Sequence, residues 1–200
     1  KLKLTANAQP ALMAVSIALV KVLECEIGKK ITSFTEIVLG HSLGEYSSLC
    51  SIGSIDISST AKVLKVRGNA MQNSVKSIET RMIAVIGLEL EKIEEILNKF
   101  KNKEFLCEIA NDNCPGQIIL SGLKKSVTDV EKQLIEAGAR SIIDLKVSAP
   151  FHCSLMKSAS LIMEKALEDI NLIKPKIKFI NNVTADFVDM PKKIIKNLIE

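Results

Sequence analysis

Residues 36–48 read Glu-Ile-Val-Leu-Gly-His-Ser-Leu-Gly-Glu-Tyr-Ser-Ser, and the centre of that stretch, Gly40-His41-Ser42-Leu43-Gly44, narrows the possible folds sharply. The apolar, β-branched run Ile37-Val38-Leu39 predicts a buried strand over 35–39, and an amphipathic helix is expected over 44–52. A strand that turns into a helix this abruptly forces its middle residue into a strained conformation and lifts that side chain clear of the fold. Both flanking positions are expected to need glycine, because a Cβ there would strike the strand or the helix. Ser42 then offers its hydroxyl at the carboxyl end of a strand, beside a helix N-terminus that favours developing negative charge. Such a nucleophile elbow suits a serine that forms an ester intermediate.

Two hundred residues allow one domain, or a large one carrying a small insert. With 47% hydrophobic and 25% charged residues the chain is globular rather than disordered. Tryptophan is absent and Tyr46 is the single tyrosine, which argues for an aliphatic core and against a base-stacking nucleic-acid surface. The net charge of +4 is spread over scattered lysines without a block of five like charges, so no nucleic-acid tail is expected. Lys174, Lys176, Lys178, Lys192, Lys193 and Lys196 are expected to form a solvated basic face. Five cysteines (Cys25, Cys50, Cys107, Cys114 and Cys153) without a C-x-x-C pair point to neither a disulfide framework nor a zinc site. They fit a reducing, cytoplasmic compartment, and two histidines leave little for any metal centre. The start, Lys1-Leu2-Lys3 before the apolar run Ala11–Val20, only faintly imitates a signal peptide, because Ala6-Asn7-Ala8 precedes that run instead of following it. Pro10 at a helix start, with Leu12, Val15, Ile17, Leu19 and Val22 after it, predicts a buried helix over 9–24 that is too interrupted to span a membrane. Without an initiator Met, the chain is expected to be a fragment or a processed piece.

Periodicity beyond the elbow gives a long helix from Asp56-Ser58 to Val75. Then come a strand at 81–87, a helix at 89–100, a strand at 105–110, a turn over Asn111–Gly116, a strand at 117–121, a helix at 124–138 and a strand at 141–147. That β-α-β-β-α-β order predicts a ferredoxin-like small subdomain over 76–147. It interrupts a hydrolase-like, parallel-sheet α/β large subdomain formed by 1–75 and 148–200. The second half holds the loop Ser148-Ala149-Pro150-Phe151, then His152, a helix to about Asp169, a strand at 177–180 and a helix from Pro191. The insert separates Ser42 from His152 in sequence, and folding is expected to bring them together.

A serine hydroxyl needs a base within hydrogen-bond reach. His41 is adjacent to Ser42, and neighbours leaving a strand point to opposite sides, which leaves His152. Asp144 lies upstream within an expected strand, so a Ser–His dyad oriented by a backbone carbonyl is the better reading. Arginine is rare: Arg67, Arg81 and Arg140 among 27 basic residues. Arg67 sits in the long helix, and Gly68 after it implies close approach by a ligand or another backbone. A guanidinium there suits a substrate carboxylate through two parallel hydrogen bonds, and a surface or capping role is the alternative.

Thr5-Ala6-Asn7-Ala8-Gln9-Pro10-Ala11-Leu12, Gly40–Tyr46, Val66–Gln72, Asn111–Gly116 and Val147–His152 occur in that order. Together they resemble the malonyl-CoA:acyl carrier protein transacylase family over essentially all of the chain. The resemblance implies an acyltransferase that moves malonyl from malonyl-CoA to the phosphopantetheine thiol of acyl carrier protein, through a malonyl-serine, in type II fatty acid biosynthesis. It implies Ser42 as nucleophile, His152 as base, the Leu43 N–H as an oxyanion donor and Arg67 as the holder of the malonyl carboxylate. Met71, Asn111 and Asn113 would line the pocket, and Phe151 would disfavour an α-methyl group. It implies a cytoplasmic monomer that needs neither metal nor redox cofactor, with no nucleic-acid or membrane partner. The family's Gly-Gln-Gly loop, its C-terminal glutamine and its Gly-Pro-Gly segment fall outside residues 1–200, so the resemblance implies a chain truncated at both ends. A piece without them is expected to show little or no transfer and to expose apolar edges. A serine esterase or thioesterase, and a non-catalytic acyltransferase-like module, are the competing readings.

Overall fold

In a computed structural model, which describes residues 1–75, 77–100 and 104–200, the first helix α1 (Thr5–Ile27) begins well before Pro10 and carries that proline inside it. The chain continues through β1 (Ile37–Leu39), α2 (Gly44–Ser51), α3 (Ile57–Asn73), β2 (Thr80–Ile86) and α4 (Leu90–Leu97). It then forms β3 (Cys107–Cys114), β4 (Gln117–Leu123), α5 (Lys124–Glu136), β5 (Ser141–Asp144), α6 (Lys157–Glu168), β6 (Lys178–Ile180) and α7 (Pro191–Ile199). The architecture is α/β and contains a parallel strand pair. Two compact units emerge, Lys1–Ala70 with Ser160–Glu200, and Met71–Ala159. Their limits fall inside α3 and α6, not at the loops near 75 and 148.

In the first unit the parallel pair β1–β6 runs in the register Ile37↔Lys178, Val38↔Phe179, Leu39↔Ile180. Its core joins Met13 and Ile17 of α1 with Tyr46, Leu49, Leu64, Met163, Leu167, Phe179, Ile194 and Leu198. Two expectations of burial need correcting. Leu12, Val15, Leu19 and Val22 of α1 are exposed, and the inward stripe is Thr5, Ala6, Gln9, Met13, Ile17 and Glu24. In β1, Val38 packs inward while Leu39 is 63% exposed, because one face of this strand pair is covered by described residues. The early start of α1 has a steric explanation. A Cβ on Gly68 of α3 would lie 2.5 Å from Ala6 Cα, so the missing side chain lets the first turn of α1 rest on α3. The α1 helix ends at Gly28, whose φ of 69° is the left-handed cap that glycine adopts without strain.

The second unit is an antiparallel sheet in the order β3-β4-β2-β5. Alternation divides its side chains between two faces. Ile83, Val85, Ile118 and Leu120 meet Ile93 and Ile96 of α4 and Val127, Val130 and Leu134 of α5. Met82, Ala84 and Ile119 point the other way, where Phe151 and Leu145 pack on them. The expected turn over Asn111–Gly116 is shorter in fact. β3 runs on to Cys114, with register shifts at Ile109/Asn111 and Asp112/Cys114, and only Pro115-Gly116 turns. Proline presets the first turn position and Gly116, at φ 73°, supplies the second. Among the described residues, no helix is long and apolar enough to cross a membrane, and no group of three His, Cys, Asp or Glu side chains could hold a metal ion.

Candidate active site

Gly40 and Gly44 play unequal parts in the elbow. A Cβ on Gly40 would lie 2.1 Å from the Gly44 carbonyl group and 2.7 Å from the Glu45 nitrogen, so this glycine lets strand and helix meet. A Cβ on Gly44 would meet nothing within 4 Å, which corrects the expectation that both positions are sterically fixed. Ser42 has φ 53°, a left-handed conformation that costs a non-glycine residue about 1–2 kcal/mol. Gly44 and Glu45 donate their N–H groups to the His41 and Ser42 carbonyls and so begin α2 immediately after the serine. Leu43 is the residue preceding α2, in helical conformation.

Arg67 projects from α3 onto Ser42. Its Nη2 donates to Ser42 Oγ over 3.0 Å and its Nη1 to Gln9 Oε1 over 2.9 Å. Gln9 is itself fixed, because its Nε2 donates to Thr5 Oγ1 at 2.9 Å. The guanidinium carbon stands 5.8 Å from the Tyr46 ring centroid, a cation–π distance. Arg67 is only 8% exposed, and among the described residues no carboxylate forms an ion pair with it. Burial pulls its pKa below the ordinary guanidinium value, while Tyr46 and Glu45 oppose that pull. The group still carries full charge at neutral pH. A buried cation beside a serine oxygen, held by a neutral amide and an aromatic face, is arranged to receive an anion from solution.

Glu45 of α2 is 5% exposed, and burial pushes its carboxyl up to about 7 against an ordinary 4.5. An Asn182 N–H at 2.9 Å and the Arg67 charge act in the opposite sense. The folded protein therefore keeps this proton across a range in which the unfolded chain has lost it. More protons bound by the folded state mean that stability falls as pH rises from 4.5 through 7, by up to about 3 kcal/mol. Glu45→Gln, neutral throughout and still an acceptor, is expected to remove that part of the fall. Urea midpoints compared at about pH 5 and pH 8 test it, and an unchanged slope would refute the assignment.

His152 belongs to the second unit. It has φ 55° and precedes a 3₁₀ turn, Ser154–Met156, that leads into α6. The neighbouring backbone is pinned from the sheet: the Phe151 N–H donates to Met82 Sδ at 3.2 Å and the Ser154 N–H to Glu108 Oε2 at 2.6 Å. Cys153 Sγ donates to the Pro150 carbonyl at 3.1 Å. Phe151 packs on the face of the antiparallel sheet that Met82, Ala84 and Ile119 form. Asn111 and Asn113 lie in β3, where Asn113 Nδ2 donates to Gln117 Oε1 at 3.1 Å, and Met71 is buried at the end of α3. Asp144 has a different task, since Arg81 grips both its oxygens at 2.6 and 2.9 Å and holds its carboxyl below the usual range.

The structure brings Ser42 and Arg67 together, and it adds Gln9, Glu45 and Asn182 around them. Gln9 and Glu45 stand inside the motifs already singled out, but their roles depend on partners 58 and 137 residues away. Met82 and Glu108, which support the His152 loop, gave no sequence signal beyond strand alternation.

The chain matches the family model described as "Acyl transferase domain" over residues 1–194. It is 36% identical to the malonyl CoA-acyl carrier protein transacylase of Bacillus subtilis (strain 168), over 100% of this chain and 62% of that protein. Among solved structures it resembles an acyl-carrier-protein-S-malonyltransferase from Bartonella henselae, with 44% identity and a TM-score of 0.93 over 99% of this chain and 62% of that one. It also resembles a malonyl-transacylase solved in complex with a type II PKS acyl-carrier protein, with 33% identity and a TM-score of 0.91 over 99% and 62% of the two chains. The chain thus spans about three fifths of the length of the relatives it matches.

Proposed function

Because this chain belongs to the acyl transferase domain family, we propose that it carries the acyl-serine machinery of a malonyl-CoA:acyl carrier protein transacylase of fatty acid biosynthesis. The observation that carries the reading is the buried Arg67 guanidinium 3.0 Å from Ser42 Oγ, placed for an acyl group that ends in a carboxylate. Similarity to malonyltransferases at 30–44% identity supports the same substrate class.

Ser42 Oγ attacks the malonyl thioester while His152 takes the hydroxyl proton. The tetrahedral oxyanion is received by the Leu43 N–H at the start of α2, where the helix dipole favours negative charge. The C–S bond then breaks, His152 returns the proton to the departing CoA sulfur, and malonyl remains as an ester on Ser42. The phosphopantetheine thiol of acyl carrier protein attacks that ester next, with His152 again moving the proton. Arg67 donates to Ser42 Oγ and so leaves the hydroxyl proton directed elsewhere, toward a base. Met71, Asn111 and Asn113 line the acyl pocket, and the bulk of Phe151 disfavours an α-methyl branch. The proposed steps draw on neither a metal nor a redox cofactor. Free cysteines at all five positions suit a reducing cytoplasm.

The finer architecture follows the same proposal. The antiparallel sheet is a ferredoxin-like insert, and the parallel pair is part of a hydrolase-like sheet. Intact-mass analysis after incubation with malonyl-CoA tests the reading. In a chain of the relatives' full length, one malonyl adduct is expected, absent from Ser42→Ala and passed to carrier-protein thiol faster than to water. Faster hydrolysis would make the protein a thioesterase, and no adduct would make it a non-catalytic module.

A further inference from the structure

Parallel pairing sets the two strand ends side by side, since Leu39↔Ile180 is the last register pair. The residues that follow β1 therefore rise beside those that follow β6. Asn181 is buried and shapes the second of these turns. Its Nδ2 donates to Thr184 Oγ1 at 2.8 Å and to the Asp186 carbonyl at 2.9 Å, and its Oδ1 accepts the Thr184 N–H at 3.0 Å. Asn182 is thereby aimed at the elbow. Its Oδ1 accepts the backbone N–H of Ser42. Its own N–H donates to Glu45 Oε1, on the helix that Ser42 begins. Ser42, Glu45 and Asn182 close a ring: the helix holds the asparagine, and the asparagine holds the serine.

We propose that Asn182 is the positioning residue of the nucleophile, keeping Ser42 in its left-handed conformation with Oγ turned to Arg67, and that Glu45 anchors Asn182 in that role. The proposal rests on the acyl-serine reading above. A positive φ at a non-glycine residue persists only where surrounding contacts over-determine it. Here the contact comes from another strand's end, so the nucleophile's geometry is tied to the parallel pairing of β1 with β6. The Asn182 side chain meets Ser42 at its backbone N–H, which makes its effect one of orientation rather than substrate binding.

The test compares the wild-type chain with Asn182→Ala and Asn182→Asp, the latter keeping a side-chain acceptor. Two readouts are taken: amide hydrogen exchange at Ser42 by NMR, and the rate of malonyl-Ser42 formation by intact mass. In Asn182→Ala the Ser42 amide is expected to exchange about tenfold faster or more. Acylation is expected to slow by about tenfold, with the half-saturating malonyl-CoA concentration unchanged. Asn182→Asp is expected to restore both to within about threefold. Amides of β4, in the other unit, serve as the internal control for folding. Equal Ser42 exchange in Asn182→Ala and wild type overturns the proposal, as do equal acylation rates. If wild type forms no malonyl adduct while the exchange contrast holds, the positioning role stands and the transferase reading falls.

Discussion

Arg67→Ala is expected to cut the preference for malonyl over acetyl by about one to two orders of magnitude, the value of one charge-assisted hydrogen bond. The guanidinium is nearly inaccessible, with one arm on Gln9 and the other on Ser42 Oγ. An arriving carboxylate would exchange the weak acceptors around that cation for a full negative charge. Acetyl brings no such group, so its transfer loses only the orientation that Arg67 gives the hydroxyl. Arg67→Lys is expected to recover little, because an ammonium cannot span Gln9 and the serine with a planar fork. Initial rates of Ser42 acylation from malonyl-CoA and acetyl-CoA measure the ratio directly. An unchanged ratio in Arg67→Ala would remove the assigned role, whatever happened to the absolute rate.

Gly40→Ala is the second large effect, and Gly44→Ala is its control. At position 40 the new methyl would sit 2.1 Å from the carbon and oxygen of Gly44, and these are backbone atoms that no rotamer change can move aside. Either β1 or α2 must shift. The expected loss lies at or above the upper end of the ordinary overpacking range of about 1–3 kcal/mol. Displacement of the elbow would also abolish acylation of Ser42, since misplacement by about an ångström can cost a hundredfold. At position 44 a methyl meets open space, and a change within about 0.5 kcal/mol is expected. Thermal denaturation of the two variants, with malonyl labelling of each, checks the pair. Similar behaviour of both would refute the steric account of the motif.

Local order made much of this legible. The elbow is contiguous, and its strain arises within a few residues, so Gly40 and Ser42 could be read without knowing the rest. The alternation of strands and helices around Met82–Asp144 was equally plain, and Pro115-Gly116 marked its hairpin. Burial was read less well. Leu12, Val15, Leu19 and Val22 are apolar, but hydrophobicity alone does not say which neighbour covers a face. The strand expected at 105–110 runs to Cys114 because β-bulges absorb the polar residues Asn111–Asn113, a device that alternation does not reveal.

What the amino-acid order determined by itself was the perch of Ser42 on its elbow, the α/β order and the place of Arg67 in a long helix before Gly68. Those properties depend on neighbours along the chain, where glycine placement and periodicity act directly. What only the tertiary structure decided was the company Ser42 keeps. Gln9 reaches Arg67 because Gly68 lets α1 rest on α3, and Asn182 reaches Ser42 because β1 and β6 run parallel and end together. Contacts across 58 and 140 residues follow from packing and register, which no local pattern encodes.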